Sequence, residues 1–152
     1  MKKFTIILLL VLLCCAVLSF SACGDKLKDG EIRITVGDKS FIAELSNTEA
    51  AKEFKKLLPL TLEMNSVSGQ LYNDIPDTTF PEQHDTEEPM RAGDVALEGN
   101  NRLVMFYAFG NVSPTMTRIA SVKAEDKEAF VEAVDQALAS GGSRKITVKI
   151  SK

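Results

Sequence analysis

Apolar and polar residues alternate with a period of two in several short stretches, the pattern of β-strands that have one buried face. The first runs from Ile32 to Val36, and a Gly37-Asp38 turn separates it from a second, Phe41 to Leu45. Two alternating stretches around a tight turn predict an opening β-hairpin. Further alternating stretches cover residues 60–64, 71–73, 116–122 and 145–150.

The most apolar part of the chain after residue 30 lies within residues 93–109, where two strand-like arms flank Gly99-Asn100-Asn101. We predict a central hairpin whose second arm, Leu103 to Phe109, forms the floor of the core. Neighbouring side chains on a strand point to opposite faces. We therefore expect Phe106 and Tyr107 to separate, one into the core and the other towards a cleft or ordinary surface packing.

Two stretches have the spacing of amphipathic helices. Ser46-Asn47-Thr48-Glu49 has the form of a capping box with Ser46 as the N-cap, and Pro59 ends the helix that follows. The second helix is predicted from Glu125 to Ser140, before Gly141-Gly142. About eight short strands interrupted by two helices predict a mainly β fold, a small closed barrel or a sandwich with a helix at each end.

Residues 74–91 form the longest irregular stretch and contain the single histidine of the chain. One interpretation is a metal or ligand loop that uses Glu82, His84 and Asp85. The other is a solvated loop, since one histidine among scattered carboxylates has no metal-ligand spacing. The spacing favours the solvated loop, and we predict neither a metal site nor a cofactor.

The N-terminus has the pattern of an export signal, with Lys2 and Lys3 before an apolar run over residues 4–18. Ser21-Ala22-Cys23 at the end of this run resembles the lipobox of bacterial lipoproteins, in which the cysteine is lipidated and becomes the new N-terminus. The resemblance implies a signal peptide over 1–22, lipidation of Cys23, a tether over 23–30 and a domain over 31–152. An ordinary secretory signal cut near Ala22 is the alternative.

Both interpretations place the domain outside the cytoplasm, and the lipoprotein one holds it on the extracytoplasmic face of a bacterial membrane. The three cysteines are Cys14, Cys15 and Cys23, so the predicted domain has no disulfide and depends on packing for its stability. The net charge is −3, and no basic patch with interleaved aromatic residues is present. We therefore expect no nucleic-acid partner.

Several blocks of sequence occur in an order that is similar to one family. The opening hairpin, the capped helix that runs into Leu57-Leu58-Pro59-Leu60-Thr61-Leu62-Glu63-Met64, and the block from Gly93 to Gly99 resemble the bacterial cyclophilin-like domain proteins. The resemblance covers most of residues 31–150. It implies a minimal cyclophilin-like β-barrel with a cleft on its outer face. Some members occur beside flavodoxin-type proteins, which makes a redox or flavodoxin-type protein a candidate partner.

The related prolyl isomerases use an arginine to polarise the prolyl amide beside an apolar pocket, which lowers a barrier of about 18–20 kcal/mol. This chain lacks tryptophan and the Phe-His-Arg and Gly-Ser-Gln-Phe-Phe blocks of those enzymes. We therefore predict a non-catalytic module that binds a peptide or small molecule, with weak peptidyl-prolyl isomerase activity as the alternative. Arg118 would bind a carbonyl or carboxylate in the cleft, and the alternative is an outward strand arginine paired with an acid. The candidate cleft residues are Arg118, Phe106, Tyr107, Met64 and Met116.

Overall fold

The computed structural model describes residues 26–81, 89–110, 116–142 and 144–152. These residues form eight strands: β1 (Glu31–Val36), β2 (Lys39–Leu45), β3 (Leu60–Val67), β4 (Gln70–Asp74), β5 (Asp94–Glu98), β6 (Arg102–Phe106), β7 (Met116–Val122) and β8 (Lys145–Ser151). The strands close into an antiparallel barrel in the order β1-β2-β7-β5-β6-β4-β3-β8, and β8 pairs back onto β1. The predicted mainly β barrel is confirmed.

Two helices accompany the barrel, α1 (Glu49–Leu57) and α2 (Lys127–Gly141), the latter preceded by a 3₁₀ turn at Ala124–Asp126. Lys55 of α1 forms an ion pair with Asp29, where the chain enters the β1–β2 hairpin. Gln136 of α2 accepts a hydrogen bond from Lys39, at the turn of the same hairpin. The helices therefore cover opposite ends of the barrel, as predicted.

The start of α1 corrects one prediction, because its N-cap is Thr48 and not Ser46. The Thr48 hydroxyl accepts a hydrogen bond from the Ala51 N–H at 3.1 Å. The Ser46 N–H instead donates to the Ile119 carbonyl of β7 at 2.8 Å, which prolongs the β2–β7 pairing by one residue. Both side chains are good N-caps, so the capping-box spacing alone could not show that the strand pairing continues through Ser46. The helix ends before Pro59, as predicted.

The barrel interior is an apolar core that the two helices complete. Phe130 of α2 meets Phe41 edge to face, with the ring centroids 5.5 Å apart. Phe54 of α1 packs against Phe80 at 6.4 Å. Phe80 belongs to the long stretch predicted as irregular, which therefore supplies part of the core.

Several predicted features lie outside the described residues. They are the signal peptide, Cys23 and the loop residues Glu82, His84 and Asp85. Within the described ranges, neither helix combines the length and the apolarity that a bilayer span requires.

The central hairpin is confirmed as β5 and β6, joined by residues 99–101. Both faces of this hairpin are buried. Its inward side chains belong to the barrel core, whereas Ala96, Val104 and Phe106 belong to a second, separate cluster. The predicted separation of Phe106 and Tyr107 is also confirmed. Tyr107 packs against the barrel core, and its hydroxyl lies 2.8 Å from the Ser66 hydroxyl. The hairpin thus contributes side chains to two apolar clusters, whereas we predicted that its second arm forms the floor of a single core.

Candidate functional site

A second group of buried apolar side chains lies on the outer side of the barrel wall, and we call it the outer cluster. An outward strand face is ordinarily polar when it meets water, so a buried apolar group here marks a surface that other groups cover. Tyr72 is partly buried beside it. The members of the outer cluster are Met90, Ala96, Val104, Phe106 and Met116.

The strand register places an arginine next to this cluster. Tyr72 of β4 pairs with Val104 of β6, Val104 pairs with Ala96 of β5, and Ala96 pairs with Arg118 of β7. Directly opposed residues in an antiparallel sheet lie side by side on one face. These four side chains therefore form a row across four strands, apolar in the middle and cationic at one end.

Two oxygen atoms contact the Arg118 guanidinium, and one of its N–H groups has no hydrogen-bond partner among the described residues. Its Nη2 lies 3.3 Å from Oδ2 of Asp94 and donates to the Pro89 carbonyl at 3.3 Å. Its Nε–H is buried and has no hydrogen-bond partner among the described residues. A buried donor without a partner costs about 1–3 kcal/mol. An incoming oxygen atom at Nε would remove that cost.

Asp94 is the buried carboxylate that positions this arginine, and it is only 4% exposed. Its Oδ1 accepts from the Ser121 hydroxyl at 2.7 Å and lies 3.6 Å from the Lys127 ammonium. Its Oδ2 accepts from the Arg91 N–H at 2.9 Å. Burial of a charge is tolerated where opposite charges and hydrogen bonds surround it. Asp94 therefore ties β5, β7 and α2 to the segment before β5.

A β-bulge explains how Arg118 and Ser121 both reach Asp94. Residues three apart on a regular strand point to opposite faces. The register of β7 shifts by one residue here, because Val95 pairs with Ala120 whereas Ala96 pairs with Arg118. The extra residue, Ile119, returns both side chains to the outer face. Bulges often redirect side chains next to functional sites.

The outer cluster is covered by a short backbone pairing between Met90 and Gly110. The Gly110 N–H donates to the Met90 carbonyl at 3.0 Å. A Cβ atom at Gly110 would clash with the Phe106 ring, so only glycine lets the backbone approach so closely. The Met90 side chain is fully buried in the cluster.

A second arginine flanks the row at its other end. Arg102 lies 5.7 Å from the Tyr72 ring centroid and donates to the Asp74 carboxylate at 2.9 Å. The hydrogen bond that Arg102 donates to Asp74, with the charges of Asp74 and Glu98, raises the pKa of Arg102 above its ordinary value. Arg102 is thus paired on the surface, whereas Arg118 is held by a buried acid.

The structure brings together three of the five predicted cleft residues, namely Arg118, Phe106 and Met116. Met64 is fully buried in the barrel interior, and Tyr107 packs against that interior, so neither joins the outer cluster. The alternation in β3 places Met64 inward with Leu62, and this signal could have excluded it.

Arg118 is an outward arginine paired with an acid, which was the alternative interpretation from the sequence. Sequence reasoning did not identify that acid as Asp94, and it missed Met90. The alternation Asp94-Val95-Ala96 could have placed Asp94 on the same face as Ala96. Met90 had no such signal, since it lies in a stretch without periodicity. Among the described residues, no three His, Cys, Asp or Glu side chains are grouped so that they could hold a metal ion.

Comparison with known proteins agrees with this architecture. The model of the cyclophilin-like family matches residues 34–149. The chain belongs to the cyclophilin-like family. No curated protein matches the chain.

A solved structure of the same fold is that of McbB, determined in complex with tryptophan. It aligns with a TM-score of 0.53 and 21% identity, over 80% of this chain and 44% of McbB. At this identity the likeness concerns the fold alone. This cyclophilin-like chain corresponds to less than half of McbB.

Proposed function

We propose that this cyclophilin-like domain is a binding module, held on the extracytoplasmic face of a bacterial membrane by a lipid on Cys23. It binds a peptide or small molecule on the outer face of the barrel, at Arg118 and the outer cluster. One observation carries the proposal. A buried apolar cluster lies outside the barrel wall, beside an arginine whose buried Nε–H has no partner among the described residues.

The chemistry of this face suits a ligand that has both an oxygen acceptor and an apolar group. The Nε–H of Arg118 would donate to a carbonyl or carboxylate oxygen, and a charge-assisted hydrogen bond of this kind contributes about 1.5–3 kcal/mol. Phe106 and Met116, which are buried in this structure, would contact the apolar group once the residues that cover them move aside. Apolar walls with a few directed polar groups are typical of ligand sites.

Binding to the full chain in detergent tests this proposal. The panel contains short blocked peptides and free aromatic amino acids, with tryptophan included because McbB was determined with it. Arg118→Ala should weaken binding at least tenfold, whereas Arg144→Ala, at an exposed arginine directly before β8, should leave it unchanged. Equal weakening by both variants, or none by either, would contradict the proposed site.

Weak peptidyl-prolyl isomerase activity is the second candidate, favoured by the placement of Arg118 beside Phe106 and Met116. Its test is the cis-to-trans isomerisation of a proline tetrapeptide. A rate equal to the uncatalysed rate removes the enzyme hypothesis. Activity that Arg118→Ala leaves unchanged would place the active site elsewhere.

The lipid anchor has an independent test. Replacement of Cys23 by Ala should move the protein from the membrane fraction to the soluble fraction, since the buried CH₂ groups of a lipid contribute about 0.8 kcal/mol each. Wild-type protein that is already soluble and lacks the mass of a lipid would contradict the anchor.

A further inference from the structure

A piece of this chain already makes the apolar contacts expected of a ligand beside Arg118, and it also contacts the same guanidinium through Nη2, although not through Nε. The Pro89 carbonyl accepts a hydrogen bond from Nη2 of Arg118 at 3.3 Å. The next side chain, Met90, is fully buried among Ala96, Val104, Phe106 and Met116. A backbone carbonyl followed by an apolar side chain therefore lies on the outer face, in the arrangement expected of a bound peptide.

This internal dipeptide is not part of the barrel. Met90 and Gly110 form an isolated bridge outside the eight strands, and Pro89 and Arg91 on either side of Met90 are exposed. The side chain of Met90 is thus the main anchor of the dipeptide. Methionine is unbranched and flexible, and other side chains of similar size can replace it in a pocket.

Resting on the proposed function, we infer that Pro89-Met90 is an internal competitor for the ligand site. The external ligand is a peptide that presents a backbone carbonyl to Arg118 and an unbranched apolar side chain to the position of Met90. To bind, it displaces the Met90 side chain from the outer cluster. The apparent affinity of wild type is then the intrinsic affinity reduced by the small fraction of molecules whose site is open.

The probe is the blocked, fluorescently labelled tetrapeptide Glu-Pro-Met-Arg, which has the sequence of residues 88–91. Added to the full chain, it should bind Met90→Ala at least tenfold more tightly than wild type, because the internal side chain no longer competes. Met90→Leu again places a large apolar side chain at this position, so the tetrapeptide should bind it as weakly as it binds wild type. Arg118→Ala in the Met90→Ala background should abolish the gain.

Two results would overturn the inference while the proposed function stands. One is Arg118-dependent binding that is equally tight in wild type and Met90→Ala. The other is tighter tetrapeptide binding by Met90→Ala that persists after Arg118→Ala is added, while Arg118→Ala in wild type still weakens binding of the panel ligands. Absence of binding to every form, for this probe and for the whole panel, would overturn both.

A measurement on wild type avoids dependence on the stability of Met90→Ala. With ¹³C-methyl methionine, saturating tetrapeptide should shift the Met90 methyl signal towards that of solvent-exposed methionine. It should also accelerate hydrogen exchange of the Gly110 N–H, which is bonded to the Met90 carbonyl. The methyl signal of Met64, inside the barrel, should stay in place. Tetrapeptide that binds without moving the Met90 signal would contradict displacement.

Discussion

The two apolar clusters of this barrel are built from the same strands but differ in what surrounds them. The inner cluster draws on the barrel strands and both helices, and aromatic side chains such as Phe54 and Phe130 complete it at the two ends. The outer cluster draws on part of the wall, and charged groups flank it: Arg118 with Asp94 on one side and Arg102 on the other.

This difference separates stability from binding. The inner cluster is enclosed by the wall and the helices, so its packing has little room to adjust. The outer cluster is covered in part by a two-residue bridge and lies beside an N–H donor that has no partner within the described part of the chain. Substitutions of apolar residues in the inner cluster should therefore change mainly the free energy of unfolding, whereas substitutions of apolar residues in the outer cluster should change binding more than stability.

The largest loss of stability is expected from a substitution in the inner cluster. Phe54→Ala should lower the free energy of unfolding by about 3–5 kcal/mol, because it removes a fully buried ring that packs on Phe80. Phe109→Ala is the matched control at a ring that is 70% exposed, and it should change stability by less than about 0.5 kcal/mol. Urea unfolding measures both. Similar losses in the two variants would contradict the division into core and surface.

The next effect tests the buried carboxylate at the edge of the outer cluster. Asp94→Asn keeps the shape but removes the charge that faces Arg118 and Lys127, and it should cost about 3 kcal/mol. Asp74→Asn removes a carboxylate from the exposed pair with Arg102 and should cost less than about 1 kcal/mol. Equal costs in thermal or urea unfolding would mean that Asp94 is not the structural partner of Arg118.

The same substitution, valine to alanine, can be made in each cluster to compare how well the two clusters adjust to a cavity. Val148→Ala inside should cost about 2 kcal/mol, the transfer of two methyl groups plus a cavity. Val104→Ala in the outer cluster should cost about 1 kcal/mol, because the covering residues can move in to fill the space. A larger loss at Val104 than at Val148 in urea unfolding would show that the outer cluster is the more rigid of the two.

The smallest effect concerns an ion pair away from both clusters. The Glu31 carboxylate accepts a hydrogen bond from the Lys123 ammonium at 2.7 Å and another from the Lys28 N–H. The bond from Lys123 is the main reason, and the bond from Lys28 the second, that the pKa of Glu31 is lowered. The bond between Lys123 and Glu31 also raises the pKa of Lys123. The Glu31 contribution is complete above its unfolded pKa of about 4.3 and is lost as pH falls through the lower folded pKa. The Lys123 contribution is complete below about 10.4 and is lost as pH rises through the higher folded pKa.

Glu31→Gln should therefore lower the Tm between about pH 5 and 10, and the difference from wild type should shrink towards both extremes. Thermal unfolding at pH 3, 7 and 11 measures this. Glu132→Gln, at an exposed position in the middle of α2, is the control and should show no such profile. A difference that grows as pH falls would contradict the sign of the Glu31 shift.

Most of the wall could be predicted from the sequence, because inward and outward residues alternate along strands such as β1 and β8. The site could be predicted only in part. Arg118, Phe106 and Met116 were predicted together, but their common face depends on the bulge at Ile119, which leaves no mark in the period of β7. The inclusion of Met90 depends on a tertiary bridge to Gly110, twenty residues along the chain. Local patterns contain no information on either contact.

The Nε–H of Arg118 is the group that we propose donates a hydrogen bond to the ligand. Nitrogen NMR of the arginine Nε–H groups tests this proposal directly, with the tightest ligand of the panel added to the full chain in detergent. At saturation, the Arg118 Nε–H signal should shift and the proton should exchange more slowly with water, while the Arg102 signal stays in place. A saturated complex in which the Arg118 signal is unmoved would contradict it.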